Sequence, residues 1–130
     1  MLVFHLVARS GLPPYAQLME QVRQALLSGV LRPGDQLPTV KEVATSLAVN
    51  PNTVARAYRD LEHEGLVEGR QGVGTFAVRR PDGPPPSVQA QLARSLSTWI
   101  GKARLAGMAD ADIESLVRAT LRARDEAATA

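Results

Sequence analysis

The stretch that decides the fold of this chain is LPTVKEVATSLAVNPNTVARAYRDLEHEGLVEGRQGVGTF, residues 37–76. Its opening, 37–44, predicts the start of a short helix, and 50–58 predicts a second helix after a tight turn. Residues 65–67 then lead into a small hairpin that closes through 72–76. A helix, a turn, a helix with small polar side chains at its exposed start and a two-stranded flap make a winged helix-turn-helix, a shape that fits the DNA major groove.

Both helices of this stretch carry capping residues. Thr39 can accept a hydrogen bond from the backbone N–H of Glu42, and the side chain of Glu42 can reach back to Thr39, which starts the first helix. Asn50 as N-cap and Pro51 at the first position start the second helix, and Gly65 is suited to end it. The inward positions are Val40, Val43, Ala44 and Leu47 in the first helix and Val54, Ala57, Tyr58 and Leu61 in the second.

A helix is also predicted upstream, from near Pro14 to Gly29. Proline is tolerated at the first helical position because its missing N–H would have no partner there. Pro33-Gly34 makes a turn into a short extended piece, and residues 2–7 have the composition of a strand. The apolar face of the helix consists of Tyr15, Leu18, Met19, Val22, Ala25 and Leu26.

Residues 80–87, RPDGPPPS, separate this region from the rest of the chain. Three successive prolines favour an extended, semi-rigid spacer. We therefore predict a winged helix-turn-helix DNA-binding domain at 1–79, a proline-rich linker at 80–87 and a helical dimerisation tail at 88–130. The predicted fold class is mainly α with a small β-hairpin.

Two helices are predicted in the tail, divided by Gly107, with the second starting near Asp110. Two amphipathic helices of this length cannot bury both apolar faces alone, so they need the winged helix or a second copy of themselves. Trp99 either lines an effector pocket or anchors a subunit interface, and we favour the anchor. The predicted dimerisation residues are Val88, Leu92, Leu96, Trp99, Ile100, Ile113, Leu116 and Val117.

Length and composition narrow the class of protein. A chain of 130 residues, 45% of them apolar, can form one domain or a small domain with a helical appendage. It has no cysteine, which excludes disulfides and cysteine-ligated metal sites. The sequence contains no run of about 18 apolar residues, the length that a membrane-spanning helix needs. Residues 1–7 lack the features of a signal peptide. We therefore expect a cytoplasmic protein without a membrane partner.

The net charge of +2 is small, and its placement is more informative. Residues 1–80 hold nine Lys/Arg against seven Asp/Glu, whereas residues 81–130 hold six against six. The excess lies in the winged-helix part, as a phosphate-facing surface requires. Alone, it is weak support for a nucleic-acid partner.

The start of the second helix of the stretch is the predicted DNA reader. With its apolar stripe buried, Asn52, Thr53 and Arg56 remain outward. Asn can pair with adenine, Thr can touch a thymine methyl or a phosphate, and Arg56 can reach guanine or a backbone oxygen. Free N–H groups at the helix start would also suit a phosphate. The alternative is a capped surface helix whose polar face meets only water.

The hairpin tip, Arg70-Gln71-Gly72-Val73-Gly74, and Lys41 are predicted to contact the DNA backbone and minor groove. The glycines allow a tight turn, and Arg70 could enter a narrow minor groove, whose potential attracts guanidinium. A nucleotide-binding role for Gly-x-Gly is set aside because no helix start follows it. Lys41 can neutralise a phosphate, although a solvated lysine is the alternative.

Catalysis and metal binding are not expected. His5 and His63 are the only histidines, and no carboxylates accompany them at ligand spacing. No serine is placed with a base as a nucleophile would require. The sequence therefore predicts neither an enzyme nor a cofactor-binding or metal-binding protein.

An ordered series of motifs resembles the GntR family of bacterial transcription regulators, and the short two-helix tail resembles its YtrA subfamily. The resemblance covers Pro14 to Val78 almost continuously. The matching motifs are Pro14-Tyr15, Gly29-x-Leu31-x-Pro33-Gly34, Leu37-Pro38-Thr39, Asn50-Pro51-Asn52-Thr53-Val54, Ala57-Tyr58-x-x-Leu61-Glu62-x-Glu64-Gly65-Leu66 and Gly72-x-Gly74-Thr75-Phe76.

This resemblance implies a homodimer, joined through the tail helices, on a two-fold double-stranded DNA operator. The residues that match the family's DNA-contacting segments are Lys41, Asn50, Asn52, Thr53, Arg70, Gln71 and Gly72. Three positions depart from the family pattern. Lys41 stands where arginine is usual, Ala48 replaces a turn glycine, and Ala109 sits where a serine cap is common, so Asp110 is expected to cap the last helix.

We expect a DNA-binding regulator that acts as a repressor by occupying an operator that overlaps a promoter. Its two reading helices would enter successive major grooves about 34 Å apart. Release would require an unidentified small-molecule effector that binds two dimer arrangements with different affinity. The alternative is a winged-helix protein-interaction module without specific DNA binding.

Overall fold

The computed structural model describes residues 2–8 and 10–129, so Met1 and Ala130, the ends of the predicted first and last domains, lie outside it. Within these residues the chain has the predicted fold class, mainly α with one antiparallel hairpin. It divides into two compact units, one reaching to Gln89 and the other starting at Ala90. The elements are α1 (Pro14–Ser28), α2 (Val40–Leu47), α3 (Pro51–His63), β1 (Val67–Arg70), β2 (Gly74–Ala77), α4 (Pro86–Leu105) and α5 (Asp110–Thr129).

The core of the first unit forms around α3. The predicted stripe of α3 is buried, with Val54, Ala57 and Leu61 fully enclosed and Tyr58 nearly so. It packs against α1 and α2, and a fully buried Leu or Val stabilises a fold by roughly 1.5–3 kcal/mol. The other core side chains are Phe4, Leu18, Val22, Ala25, Leu26, Leu31, Leu37, Val43, Ala44, Leu66, Val67 and Ala77.

The ends of α3 are fixed by its own sequence, as predicted. The side-chain oxygen of Asn50 accepts from the N–H of Asn52 at 2.8 Å, and Pro51 occupies the first position. At the other end, Gly65 has φ 77° and the N–H of Leu66 donates to the carbonyl of Leu61 at 3.1 Å. This left-handed glycine turn stops the helix and directs the chain into β1.

Helix α2 starts as predicted and ends in a strained residue. Thr39 Oγ1 accepts from the N–H of Glu42 at 3.1 Å, but the hydrogen bonds of the described residues do not include the return contact from the Glu42 side chain. Ala48 follows the helix with φ 53° and ψ 46°, in the left-handed region. Only glycine adopts this region without a steric penalty from Cβ.

Tyr58 joins α3 to the segment in front of α2. Its hydroxyl donates to the carbonyl of Pro38 at 2.6 Å. Burial of the ring, together with the charge of Glu42, raises the pKa of Tyr58 above its ordinary range. The hydroxyl therefore stays protonated and remains a donor to the Pro38 carbonyl, which holds the segment before α2 against α3.

The hairpin is attached to the residues that precede α2. Strands β1 and β2 pair in register from Val67 opposite Ala77 to Arg70 opposite Gly74. Gln36 forms an isolated bridge with Phe76. On either side of it, the N–H of Leu37 donates to the Thr75 carbonyl at 2.8 Å and the N–H of Ala77 donates to the Asp35 carbonyl at 2.8 Å. The predicted extended piece thus acts as a short third edge beside β2.

Residues 2–7 do not form the predicted strand. They run extended, with Phe4 in the core, but their backbone pairs with side chains of α1 instead of with another strand. The amide of Gln21 both accepts from and donates to the backbone of His5, at 3.0 and 2.7 Å. Gln17 does the same for Val7, at 2.8 and 3.0 Å, because glutamines four residues apart lie on one helix face.

The second unit leaves most of its apolar side chains exposed. Of the predicted dimerisation residues, Ile100 is half-buried and Ile113 is only 6% exposed, so Ile113 packs within its own chain. The predicted capping role of Asp110 is wrong because α5 already starts at Asp110 and the residue before the helix is Ala109. The Asp110 carboxylate accepts from Arg104 at 3.0 and 3.1 Å. The exposed side chains of this unit are Leu92, Leu96, Trp99, Leu105, Leu116, Val117 and Leu121, and Val88, near the end of the first unit, is exposed as well.

Relief of the strain at Ala48 should be measurable. We expect Ala48→Gly to raise the free energy of unfolding by about 0.5–1 kcal/mol, the steric gain less the added entropy of the unfolded chain. The matched control is Ala55→Gly within α3, which should lose about 1 kcal/mol because its backbone is right-handed. Urea denaturation measures both. A loss of stability in Ala48→Gly would contradict the assigned strain.

The Tyr58 hydroxyl should contribute to stability in a pH-dependent way. At neutral pH, Tyr58→Phe should cost about 1 kcal/mol because the Pro38 carbonyl loses its partner. The raised folded-state pKa means that this stabilisation is complete below the ordinary tyrosine pKa of about 10 and is lost as pH rises toward the folded value. Denaturation curves of both proteins should therefore converge above about pH 10. Curves that stay parallel would show that the hydroxyl is not held as described.

Candidate nucleic-acid interface

The start of α3 presents two polar side chains outward. Asn52 is exposed and Thr53 half-buried, while Val54 directly after them is fully enclosed. Asn50 is exposed too, but its carbonyl oxygen is already engaged in capping the helix. Asn50 therefore offers only its NH₂ group outward, whereas the Asn52 side chain has no hydrogen-bond partner among the described residues and can make a bidentate contact with a base edge.

The backbone of this helix start is less available than expected. Pro51 has no N–H, the N–H of Asn52 donates to the Asn50 side chain, and the N–H of Thr53 donates to the Asn50 carbonyl at 3.0 Å. The prediction that free N–H groups here would suit a phosphate is therefore wrong for these positions. At the α3 tip, side chains are therefore more available than these backbone amides for a contact with DNA.

Arg56 lies against α1, and the sequence did not indicate this. Its guanidinium carbon is 3.7 Å from the centroid of the Tyr15 ring, and its Nε lies 3.9 Å from a carboxylate oxygen of Asp60. A cation over an aromatic face is held by about 0.5–1 kcal/mol at an exposed site. The Tyr15 ring and the Asp60 carboxylate thus hold the guanidinium beside α3. The contact of Arg56 with DNA stays a prediction.

Arg70 is held in a similar way at the wing. Its guanidinium carbon lies 4.4 Å from the centroid of the Phe76 ring, and its Nη2 lies 3.7 Å from the Glu68 carboxylate. The ring belongs to β2, directly across the hairpin from Glu68. Gln71 and Gly72 follow in the exposed turn, where Gly72 has φ 75°. The predicted wing residues are thus together at the tip.

The wing tip is pinned by Gln36, a residue that the sequence did not single out. The Gln36 side-chain amide donates to the carbonyl of Val73 at 3.1 Å. Gly74 makes room for it, since a Cβ at that position would lie 2.5 Å from the same amide nitrogen. The φ of Gly74, 139°, also favours glycine. The wing is therefore fixed to the segment that leads into α2.

A cleft of about 490 Å³ separates the start of α2 from the wing. It is lined by Thr39 and by residues 69–75. Lys41, in the first turn of α2, is exposed and forms no ion pair among the described residues. An exposed ammonium in the first turn of the helix whose Thr39 cap lines this cleft is suited to a phosphate.

The described residues offer no group of His, Cys, Asp or Glu that could hold a metal ion. His5 donates its backbone N–H to Gln21, and His63 is the last residue of α3. In the described part of the chain, no helix combines the length and the apolarity needed to cross a membrane.

Comparison with known proteins gives a consistent class. The profile of the family described as bacterial regulatory proteins, gntR family, matches residues 14–77. The transcriptional repressor YtrA of Bacillus subtilis is 47% identical over 68 residues, which cover 52% of this chain and 52% of that protein. The chain thus matches about half the length of this relative. The transcriptional regulator Rv1152 of Mycobacterium tuberculosis is 39% identical over 104 residues, 80% of this chain and 82% of that protein.

Solved structures agree with this. The DNA-binding domain of AraR in complex with operator ORX1 is 31% identical, with a TM-score of 0.51, covering 59% of this chain and 93% of that chain. YtrA of Sulfolobus acidocaldarius, a GntR-family transcription factor, is 25% identical with a TM-score of 0.54. The match covers 92% of this chain and 97% of that chain. The first similarity concerns the winged helix, and the second extends over the tail.

Proposed function

This chain belongs to the GntR family of bacterial regulatory proteins, with a YtrA-like short tail, and we propose that it represses transcription as a homodimer bound to a two-fold DNA operator. The family places it among DNA-binding regulators of transcription, and the relatives named above are regulators, not enzymes. Repression, dimer symmetry, action in the cytoplasm and the individual roles of residues are the proposal.

One observation carries the DNA-binding assignment of residues. Burial of Val54, Ala57, Tyr58 and Leu61 leaves the polar tip of α3 no orientation except outward. Asn52 reads base edges there, Thr53 contacts a thymine methyl or a phosphate, and Asn50 donates its NH₂ group to the backbone. The operator complex of the similar AraR domain supports this use of the winged helix.

The other predicted contacts follow from the same docking. Lys41, in the first turn of α2, neutralises a phosphate, and Arg56 reaches the backbone or a guanine from its place on Tyr15. Arg70, Gln71 and Gly72 lie along the neighbouring minor groove. The phosphate contacts position the protein, whereas Asn52 and Thr53, and Arg56 where it reaches a guanine, supply the sequence preference.

The tail supplies the dimer. Leu92, Leu96 and Trp99 recur on α4 and are exposed, as are Leu116 and Val117 on α5. An amphipathic helix whose apolar stripe meets water needs a partner, and a second copy of the chain satisfies both subunits at once. Val88 and the half-buried Ile100 extend the same set, whereas the buried Ile113 supports α5 from within its chain.

Repression follows from occupancy. Two α3 helices would enter successive major grooves about 34 Å apart and exclude other proteins from an overlapping promoter. A small-molecule effector would release the dimer only by binding one dimer arrangement more tightly than the other.

Lys41 should act on all DNA sequences alike. We expect Lys41→Ala to weaken binding to specific and nonspecific duplexes together and to reduce the slope of log K against log salt by about 1.8 for the dimer, about 0.9 for the one phosphate contact of each subunit. Lys102→Ala, the other lysine of the chain and part of α4, is the matched control and should keep the slope. Fluorescence anisotropy across a salt series measures it. An unchanged slope in Lys41→Ala would remove this residue from the interface, and salt-insensitive binding throughout would favour the protein-interaction module.

Asn52 and Thr53 should set the sequence preference. Asn52→Ala and Thr53→Ala should each relax the choice of base at one or two positions of every half-site, at a cost of about 1–3 kcal/mol for the cognate duplex. Selection of bound duplexes from a random pool reports the preference directly. The Lys41→Ala protein serves as the control, since it should select the parental motif. Parental motifs from both tip variants would show that these side chains do not read bases.

The dimer should depend on the exposed stripe of α4. Replacing Leu96 and Trp99 together with Gln should give monomers with weaker operator affinity, because the apolar contacts between copies are lost. Leu105, 92% exposed on the same helix but outside the proposed interface, provides the control: Leu105→Gln should remain dimeric. Analytical ultracentrifugation gives the oligomeric state. Monomers that bind the operator as tightly as the parent protein would contradict the proposal that dimerisation through the tail supports operator binding.

A further inference from the structure

Arg80 holds the linker against the end of α1. One of its guanidinium nitrogens, Nη2, donates to the carbonyl of Leu27 at 2.8 Å and also to that of Pro84. The other, Nη1, lies 3.5 Å from the carbonyl of Gly83. A single side chain thus bridges two parts of the chain that are more than fifty residues apart in sequence.

The fit between the linker and α1 is close. A Cβ on Gly83 would lie 2.9 Å from Cδ2 of Leu27, and a Cβ on Gly29 would lie 3.5 Å from Cβ of Pro86. Arg80 itself is half-buried, and its Nε is buried without a hydrogen-bond partner among the described residues. A buried donor left unpaired carries a cost. The guanidinium is therefore placed for its carbonyl contacts, at the expense of one donor.

The chain beyond this clasp has little freedom. Pro84, Pro85 and Pro86 have φ fixed by their rings, and Pro86 is the first residue of α4. The N–H of Gln89 donates to the Pro85 carbonyl at 2.9 Å, which closes the first turn of the helix. This first turn belongs to the same compact unit as the winged helix. The contacts of Arg80 with Leu27 and Pro84 therefore hold the linker and the first turn of α4 within that unit.

We propose that Arg80 is a specificity-determining residue for the spacing between operator half-sites. The inference rests on the proposed homodimer. Each added base pair moves one half-site by about 3.4 Å and turns it by about 35°, so a dimer with stiff arms meets both half-sites at one spacing only. Arms that pivot at the linker accept many spacings, because flexible connections tolerate a range of distances.

The neighbouring arginine offers a matched control. Arg79 has the same charge and is one residue away, but its guanidinium donates to the carbonyl of Glu64 at 2.9 Å, at the end of α3, and not to the linker. Arg79→Ala and Arg80→Ala therefore remove equal charge from the surface. Any difference between them reports on the clasp and not on attraction to phosphate.

The experiment measures affinity for a series of duplexes that carry two copies of the half-site selected from a random pool. The centre-to-centre distance is changed in steps of one base pair over about one helical turn. We expect the parent protein and Arg79→Ala to prefer one spacing by roughly tenfold or more over its neighbours. Arg80→Ala should bind all spacings within about threefold of one another, with unchanged affinity for a duplex carrying a single half-site.

A further variant covers a loss of folding in Arg80→Ala. Arg80→Lys keeps the charge but cannot serve three carbonyls with a planar fork, and should give an intermediate profile. Ultracentrifugation confirms that each variant remains a dimer.

The outcomes separate the inference from the function on which it rests. A folded dimeric Arg80→Ala with the sharp profile of the parent would overturn the role of the clasp while DNA binding stands. A parent protein that binds single half-sites but is indifferent to spacing would do the same. A parent protein that binds no duplex would refute the proposed function, and the inference with it.

Discussion

Burial of one face of α3 is the constraint on which the rest of this structure depends. Val54, Ala57 and Leu61 are withdrawn from water completely, and this fixes the rotation of the helix about its axis. The N-cap and Pro51 fix where the helix begins. With rotation and start both set, Asn52 and Thr53 have one direction left to face. Core packing therefore decides which side chains of α3 can contact DNA. The polar side chains of Asn52 and Thr53 lie outside the buried stripe and are the ones available to bases.

Around this helix, long polar side chains bind distant backbone and hold the loose parts of the domain. Gln17 and Gln21 replace a partner strand for the first residues of the chain, and Gln36 secures the wing tip through Val73. Tyr58 and Arg80 do the same for the segment before α2 and for the linker. A small domain buries limited apolar surface, so such bonds define positions that packing alone leaves soft. The positions of the wing, the segment before α2 and the linker therefore depend on a few side-chain hydrogen-bond donors.

Local signals in the sequence predicted the helices and the hairpin, whereas side-chain contacts between residues far apart in the sequence could not be predicted from it. Asn50-Pro51, Thr39 and Gly65 act within a few residues of themselves, so α2 and α3 could be placed from their letters. The stack of Arg56 on Tyr15 joins residues some forty positions apart and has no local signature. Residues 2–7 have the composition of a strand, rich in Leu, Val and Phe, but their backbone pairs with two glutamine side chains of α1. Asp110 was misjudged because the helix begins one residue earlier than a capping role for Asp110 requires.

The central claim, that the tip of α3 faces base edges while the wing and Lys41 hold the backbone, is tested most directly by a crystal structure of the dimer with a duplex selected from a random pool. The account predicts side-chain atoms of Asn52 and Thr53 within hydrogen-bonding or van der Waals distance of bases in the major groove, with Arg70 along the adjoining minor groove. It would be contradicted by a complex in which the DNA lies on another surface and the α3 tip faces solvent.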